Sequence, residues 1–184
     1  HADVGDKAND SLRVNGNELR CKVVGEGGNL GMTQRGRIEY CLNAGACNTD
    51  FIDNAGGVDC SDHEVNVKIL LNELVSNGDL TPKQRNHLLV DMTDNVAQLV
   101  LNNNYRQTLA ISIAEAESLA RSAEYRRFMS ALESQKRLNR KLEFLPADTQ
   151  LLERQTHNLG LTRPELAVLI SYAKASLKED LASA

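Results

Sequence analysis

A glycine-rich segment near the start of the chain has the composition of a ligand-binding loop. Residues 23–31, VVGEGGNLG, follow a short β-type run and precede an amphipathic segment, and Asp50 and Asp53 lie further on. Glycines in this position let a pyrophosphate approach a helix N-terminus, and a later acidic residue can bind a ribose. The pattern G-x-G-x-x-G is incomplete because position 30 is Leu. The spacing therefore leaves open a nucleotide-facing loop and a turn without a ligand.

A second polar cluster, residues 53–64 (DNAGGVDCSDHE), joins a predicted strand to a predicted helix. Open α/β sheets bind ligands at the carboxyl ends of their strands, so we expect both clusters to face one crevice. A hydroxyl at Ser61, at the start of a helix, suits a carboxylate because backbone amides and the helix dipole favour negative charge there. In the alternative interpretation, Asn54 and the glycines only make a turn and Ser61 only caps the helix.

Metal binding and nucleophilic catalysis are weaker interpretations. Cys41, Cys47, Cys60 and His63 contain the residue types of a zinc site, but the C-x5-C interval is looser than common zinc spacing. Cys41 lies on a predicted helix, where a free cysteine is usually buried. A nucleophilic pair of Cys60 with His63 has no accompanying oxyanion-forming context. We expect no metal site.

Composition limits the partners. Apolar residues make up 41% and charged residues 25% of the 184, and the formal net charge is −4, which argues against a nucleic-acid-binding surface. No apolar run is long enough to cross a membrane, and residues 1–10 lack the apolar core of a signal peptide. The four cysteines do not form a secreted disulfide framework, so reduced thiols and a cytoplasmic location are expected.

The elements that must position the first cluster are short. Asn15-Gly16 predicts a tight hairpin turn before a strand within 19–24, because both central residues of such a turn need positive φ. A short helix is predicted over 37–42 and a second strand over 49–52. The order strand, glycine loop, helix, strand predicts a small α/β part at the N-terminus.

Beyond residue 60 the apolar spacing becomes helical. Three capping boxes predict helix starts, at Ser61 with Glu64, Thr81 with Gln84 and Thr162 with Glu165. Gly78 suits the end of the first helix and residues 102–104 the end of the second, and 107–138 is predicted to be a further helix. The apolar faces of these helices, such as Val65, Ile69, Leu70, Leu166 and Leu169, are expected to pack against other elements.

At the two glycine clusters the chain resembles a known family. Residues 26–29 (EGGN), then 53–58 (DNAGGV) and Ser61, resemble the paired motifs of glutamate dehydrogenases. Residues 24–31, 59–66 and 161–169 are similar to the large multidomain NAD-specific class, so the resemblance spans nearly the whole chain. It implies a mainly α protein with a small α/β part. Residues 1–60 would be the C-terminal part of a Rossmann-like dinucleotide-binding domain, truncated here, and 61–184 a helical C-terminal region.

The resemblance also implies the chemistry. The parent protein would oxidise L-glutamate with NAD to 2-oxoglutarate and ammonia. Gly28 and Asn29 would lie against the nicotinamide ribose, Asn54 would hold the nicotinamide end, and Ser61 would meet the distal carboxylate of glutamate. The remaining domains of the parent chain and further copies in a homo-oligomer would be its partners.

The chain also departs from the family pattern. The glycine-rich contexts of the active-site lysine and aspartate are not found, nor is the main phosphate-binding loop. Residues 62–64, DHE, stand where smaller glutamate dehydrogenases have an aromatic-containing sequence. We therefore assign no catalytic residue to this chain and expect it to be inactive alone. The alternatives are a non-catalytic helical interaction or regulatory module, and a dehydrogenase of another amino acid.

Overall fold

The computed structural model describes residues 4–28 and 31–183, and this part of the chain is mainly α-helical, as predicted. Two short 3-10 helices, Asp10–Leu12 and Gly16–Glu18, precede strand β1, Val23–Val24, and strand β2 is Ala46–Cys47. The α-helices are α1 Gln34–Leu42, α2 Asp50–Asp53, α3 Ala55–Ser76, α4 Pro82–Asp91, α5 Thr93–Glu117, α6 Ser122–Ser134, α7 Asp148–Thr156 and α8 Arg163–Ala182.

Among the described residues, no helix combines the length and the apolar character that crossing a membrane requires.

The chain forms two compact units. The first contains His1–Asp50 and Ala110–Ala184, and the second contains Phe51–Leu109. The first therefore holds both strands, α1 and the C-terminal helices, whereas the second holds α3, α4 and most of α5. The division of the parent protein near residue 60 stays a prediction.

The first unit carries a β1–α1–β2 segment. The two strands are parallel, with Val23 opposite Ala46 and Val24 opposite Cys47. The second strand was predicted over 49–52, which is wrong, because β2 ends at Cys47 and α2 follows. Asp50 begins that helix, and an acidic residue in the first helical turn is favoured by the helix dipole.

The predicted hairpin at Asn15-Gly16 is wrong. Gly16 begins a 3-10 helix and is not among the described glycines with positive φ. Its amide donates to Glu39 Oε2 at 2.8 Å, and a Cβ on Gly16 would collide with the carbonyl of Gly36. Glycine is needed here for a close approach to α1 rather than for a turn.

Two of the three predicted helix starts are confirmed. Thr81 Oγ1 accepts from the Gln84 amide at 3.2 Å, and Gln84 Oε1 accepts from the Thr81 amide at 2.9 Å. At the start of α8, the Thr162 amide donates to Glu165 Oε2 at 2.8 Å. These bonds satisfy first-turn groups that have no partner within the helix.

The predicted helix start at Ser61 is wrong, because α3 begins at Ala55 and Ser61 lies inside it. Gly56 and Gly57 were interpreted as turn residues, but they occupy the first turn of this helix. Asn104 Nδ2 on α5 lies 3.3 Å from where a Cβ on Gly56 would be, so this glycine allows two helices to approach closely. The predicted end of the helix is confirmed, because Gly78 has φ +83° just after its last turn.

The predicted helix end at residues 102–104 is also wrong, because α5 continues through them to Glu117. The side-chain amide of Asn103 donates to Asp59 Oδ2 on α3 at 3.0 Å, and that of Asn104 donates to the Val100 carbonyl at 2.8 Å. Asn103 therefore bonds to α3 and Asn104 to a carbonyl of α5 itself, and neither residue ends the helix. The predicted helix over 107–138 is divided between α5 and α6.

Burial of the predicted apolar faces differs between the units. Leu166 and Leu169 are buried in the core of the first unit, as expected. Val65, Ile69 and Leu70 on α3 are 51%, 62% and 58% exposed, so this face is not packed within the described chain. The core cluster of the first unit comprises Met129, Leu132, Leu138, Leu145, Leu151, Leu161, Leu166, Val168 and Leu169.

Candidate functional site

The candidate site lies at the carboxyl edge of the two-stranded sheet in the first unit. Residues 26–28 follow β1 and residues 48–50 follow β2. Because the strands are parallel, both segments leave the sheet at the same edge. The carboxyl edge of a parallel sheet is where ligands bind in open α/β folds.

Arg37 on α1 joins these two segments. Its Nε donates to Glu26 Oε1 at 2.7 Å and its Nη2 donates to Glu26 Oε2 at 2.6 Å. The same Nη2 lies 3.2 Å from Asp50 Oδ1. Nη1 donates to Gln34 Oε1 at 3.3 Å. One guanidinium therefore bonds bidentately to the glycine segment after β1 and also pairs with the residue that ends the segment after β2.

These charges are removed from solvent. The side chains of Glu26 and Arg37 are 4% and 7% exposed, and that of Asp50 is 20% exposed. The hydrogen bonds to Glu26, and then the negative charges of Glu26 and Asp50, raise the pKa of Arg37 despite its burial. Because a buried charge without its partner is strongly destabilising, the three side chains fix one another's positions.

Gly28, predicted to bind the cofactor, lies in a turn after β1 and is exposed. It has no positive φ, and a Cβ built on Gly27 or Gly28 meets no atom within 4 Å. The described chain therefore contains neither a conformational nor a packing reason for glycine at these positions. Asn29, the other predicted contact to the nicotinamide ribose, lies outside the described residues.

The C-terminal helix is fastened to the same edge. Arg163 at the start of α8 donates from Nε to Asn48 Oδ1 at 3.1 Å, and Gln34 Nε2 on α1 donates to the Pro164 carbonyl at 3.1 Å. Arg163 Nη1 also lies 2.8 Å from Glu115 Oε2. The segment after β2 is thus held from both α1 and α8.

Two of the four cysteines lie together beside this edge. The Sγ atoms of Cys41 on α1 and Cys47 on β2 are 3.5 Å apart. The hydrogen bond between the two lowers the pKa of Cys41, whereas that bond and burial raise the pKa of Cys47. Cys60 and His63 lie on α3 in the second unit, and Nε2 of His63 is 3.5 Å from Asp59 Oδ1.

The other two predicted site residues belong to the second unit. Asn54 is the N-cap residue of α3 and is half-buried. Ser61 is exposed on α3, inside the helix and not at its start, so the argument from a helix N-terminus does not apply to it. The predicted proximity of Asn29 and Asn54 stays a prediction.

The role of Arg37 was not predicted from the sequence. In the sequence, Arg37 only begins the helix predicted over 37–42, and Glu26 is only part of the motif EGGN. The available signal was the presence of Glu26 after one predicted strand and Asp50 near the next, with an arginine on the helix between them. That signal is weak, because the sequence does not show that the two strands are adjacent and parallel, which is what brings Glu26 and Asp50 to one edge.

Comparisons with known proteins agree over almost the whole chain. Residues 1–114 match the family described as bacterial NAD-glutamate dehydrogenase, catalytic domain, and residues 158–184 match glutamate dehydrogenase, C-terminal. The chain is 67% identical over 181 residues to the NAD-specific glutamate dehydrogenase of Pseudomonas aeruginosa. It is 64% and 47% identical over 180 residues to those of Halomonas elongata and Mycobacterium tuberculosis. Each alignment covers 98% of this chain but 11% of the relative, so the chain spans about a ninth of the length of these relatives.

Proposed function

The chain belongs to the bacterial NAD-glutamate dehydrogenase family, and on this premise we propose that it contributes one edge of the NAD site in a much larger glutamate dehydrogenase. The parent enzyme converts L-glutamate, NAD and water into 2-oxoglutarate, ammonia and NADH. The main support for the proposal is the exposed turn at Gly27 and Gly28. This turn follows the carboxyl end of parallel strand β1, and the buried side chain of Glu26 anchors it to Arg37.

The residues at this edge fit a dinucleotide. A backbone turn without side chains lets a ribose approach closely, and a Cβ at Gly27 or Gly28 would occupy space that the described chain leaves open. We propose that Gly28 and Asn29 contact the nicotinamide ribose. In the same proposal, Asn54 holds the nicotinamide end of the cofactor. We also propose that residues 1–60 are the end of a Rossmann-like domain and that residues 61–184 are a helical C-terminal region.

In this proposal, the chain binds the cofactor and does not carry out the chemical step. When bound, NAD accepts the hydride that leaves the α-carbon of glutamate. The residues of this chain bind and orient the cofactor, and the groups that move protons and polarise the reacting carbon belong to other parts of the parent protein. We therefore assign no catalytic residue here.

Ser61 is proposed to bind the distal carboxylate of glutamate. Because Ser61 is exposed and lies inside α3, its hydroxyl is not needed to start the helix. Replacing Ser61 with Ala in the complete protein is expected to raise the KM for glutamate more than about twofold, through loss of a hydrogen bond to a charged group. Helix stability should hold, because Ala favours a helix interior. An unchanged KM for glutamate would remove this assignment.

The assembly and location complete the proposal. The remaining domains of the parent chain and other copies in a homo-oligomer are proposed to be its partners. A cytoplasmic location is part of the same proposal, since the four cysteines lack the density and spacing of a secreted disulfide framework.

The deciding experiment is a substrate survey of the complete protein. We expect NAD-linked oxidation of L-glutamate, with other amino acids and NADP giving kcat/KM values lower by about a hundredfold or more. A preference for another amino acid would favour the rival dehydrogenase. No NAD-linked turnover with any amino acid would reject the enzymatic proposal.

A further inference from the structure

We infer that Arg37 is a positioning residue for the cofactor site, holding the two strand-end segments, 26–28 and 48–50, in register with each other. This inference rests on the proposed function, because the first segment ends at Gly28, the residue proposed to contact the nicotinamide ribose. Arg37 itself does not touch the cofactor. It acts through Glu26 on one side and Asp50 on the other.

Arg37, Glu26 and Asp50 form what we call the clamp, because one guanidinium contacts both carboxylates. Both guanidinium bonds to Glu26 are short, at 2.7 and 2.6 Å, and they involve both carboxylate oxygens, so the orientation of Glu26 is fixed as well as its position. Glu26 lies next to Gly27 in the chain, and Gly27 and Gly28 meet no neighbour within 4 Å where a side chain would be. Among the described contacts, Glu26 is thus the anchor next to an otherwise open turn.

The other side of the clamp determines where the turn sits relative to β2. Arg37 Nη2 lies 3.2 Å from Asp50 Oδ1, and the Arg37 carbonyl accepts from Cys47 Sγ at 3.9 Å. Main-chain and side-chain atoms of the same residue therefore contact β2 and the segment after it. A shift of α1 would move Glu26 and, with it, the glycine turn. The affinity for NAD would then change, because the turn is the proposed contact to the cofactor.

A buried ion pair is often only structural, and the chain provides a matched control. Arg154 Nη1 and Nη2 donate to the two oxygens of Glu165 at 2.8 and 2.9 Å, and Glu165 is fully buried. This second bidentate pair joins α7 to α8. Without Arg154, the start of α8 still has the bond from Thr162 to Glu165 and the bond from Arg163 to Asn48 in segment 48–50. Loss of either arginine should reduce stability, but only loss of Arg37 should change the affinity for NAD.

The test uses the complete protein and the variants Arg37→Gln, Arg37→Lys and Arg154→Gln. We expect Arg37→Gln to raise both the Kd for NAD, measured by calorimetry on the complete protein, and the KM for NAD at least about tenfold, since small displacements of binding groups have large effects. The KM for glutamate should change less than about twofold, because interactions with the second substrate are retained. Arg37→Lys should be intermediate, because one ammonium cannot reproduce a bidentate bond and still reach Asp50. Arg154→Gln should lower the thermal inactivation temperature and leave the KM for NAD unchanged.

Three outcomes separate the possibilities. If Arg37→Gln and Arg154→Gln both lower stability and neither changes the KM for NAD, Arg37 is structural and the inference is overturned. If Arg37→Gln does not fold, Arg37→Lys and Asp50→Asn decide: a raised KM for NAD supports the clamp, and unchanged values in both reject it. If the wild-type protein shows no NAD-linked glutamate oxidation, the proposed function fails and this inference fails with it.

Discussion

Gly28 can accept a methyl group without disturbing the described chain. Its φ is not positive, and a Cβ there meets no atom within 4 Å. Gly28→Ala should therefore change the free energy of unfolding by no more than about 1 kcal/mol, and at such positions the change is often stabilising. If the turn faces the nicotinamide ribose, the same methyl group should raise the KM for NAD about tenfold or more, by preventing close approach. Steady-state kinetics and thermal inactivation of the complete protein measure the two effects separately.

Gly25→Ala is the matched control for that experiment. Gly25 also has open space around a Cβ and no positive φ, but it directly follows β1, ahead of the Glu26 anchor. Its replacement should leave the KM for NAD unchanged. Equal KM values for wild type and Gly28→Ala would show that the turn does not contact the cofactor.

The Cys41–Cys47 pair should titrate in a fixed order. The hydrogen bond with Cys47 lowers the pKa of Cys41, and the positive charge of Arg163 acts in the same direction. The hydrogen bond with Cys41, and then burial, raise the pKa of Cys47. Cys41 should therefore be alkylated at lower pH than Cys47 in the complete protein. Peptide mass spectrometry after brief iodoacetamide labelling over a pH series measures both sites.

Cys47→Ala tests the cause of that order. Removing the Cys47 thiol should shift the midpoint of Cys41 labelling to higher pH, because Cys41 loses this hydrogen bond. Cys21→Ala is the control, since Cys21 is exposed and its Sγ is contacted by Tyr40 rather than by Cys41. A midpoint for Cys41 that does not move in Cys47→Ala would contradict the assigned cause.

At the scale of elements, the packing of α3 on α5 depends on Gly56. A Cβ at this position would lie 3.3 Å from Asn104 Nδ2 and 3.7 Å from Val100 Cγ1. Gly56→Val adds two further carbons at this contact and should destabilise the second unit by about 1–3 kcal/mol through overpacking. Hydrogen exchange of peptides from residues 51–109 in the complete protein should become faster.

Gly57→Ala controls for the general effect of changing a helical glycine. A Cβ on Gly57 meets no atom within 4 Å, so the substitution should stabilise α3 by up to about 1 kcal/mol through helix propensity. Slower exchange in Gly57→Ala together with faster exchange in Gly56→Val would identify the contact as the cause. Faster exchange in both would instead point to a requirement for flexible backbone at this helix start.

The helix starts that were predicted correctly are those whose signals are local. At Thr81 the capping bonds, and at Thr162 the bond from its amide to Glu165, involve groups three residues apart, so sequence spacing is sufficient to find them. The same spacing at Ser61 was misleading. There, the glycines at 56 and 57 suggest a turn, whereas a distant contact with α5 makes Gly56 favourable inside a helix. A contact between residues so far apart in sequence leaves no local pattern.

At the scale of the whole molecule, the candidate site also combines features with local sequence signals and features that depend on distant contacts. The strand, glycine segment and following helix were predicted from composition and periodicity, and β1 and α1 confirm that part. The link between Arg37, Glu26 and Asp50 depends on which strands are adjacent and parallel, and a two-residue strand such as β2 has too little periodicity to reveal that. The resemblance to a family suggests the proposed cofactor contacts, Gly28 and Asn29, whereas the contacts of Arg37 with Glu26 and Asp50 depend on how β1, α1 and β2 pack together.

The chain alone is expected to be inactive, and the reason lies in its surfaces as well as its motifs. It spans 11% of the length of its relatives, and no glycine-rich lysine context or main phosphate-binding loop is found in its sequence. The apolar face of α3, at Val65, Ile69 and Leu70, is exposed in the described chain, as expected for a surface that other domains of the parent cover. With one edge of the cofactor site, we expect a Kd for NAD weaker than about 1 mM, because few contacts remain to offset the cost of association.

The measurement compares the purified chain with the complete protein. NADH formation is followed by absorbance with glutamate and NAD, and NAD binding is followed by calorimetry. Circular dichroism provides the control, because a helical spectrum shows that lack of activity does not come from an unfolded chain. A folded chain that turns over glutamate at a rate approaching that of the complete protein would contradict this prediction, since the lysine and the phosphate-binding loop would then be dispensable. We expect the folded chain to bind NAD weakly and to show no turnover. The glycine turn can position the cofactor, but it contains no group that transfers protons or polarises the substrate.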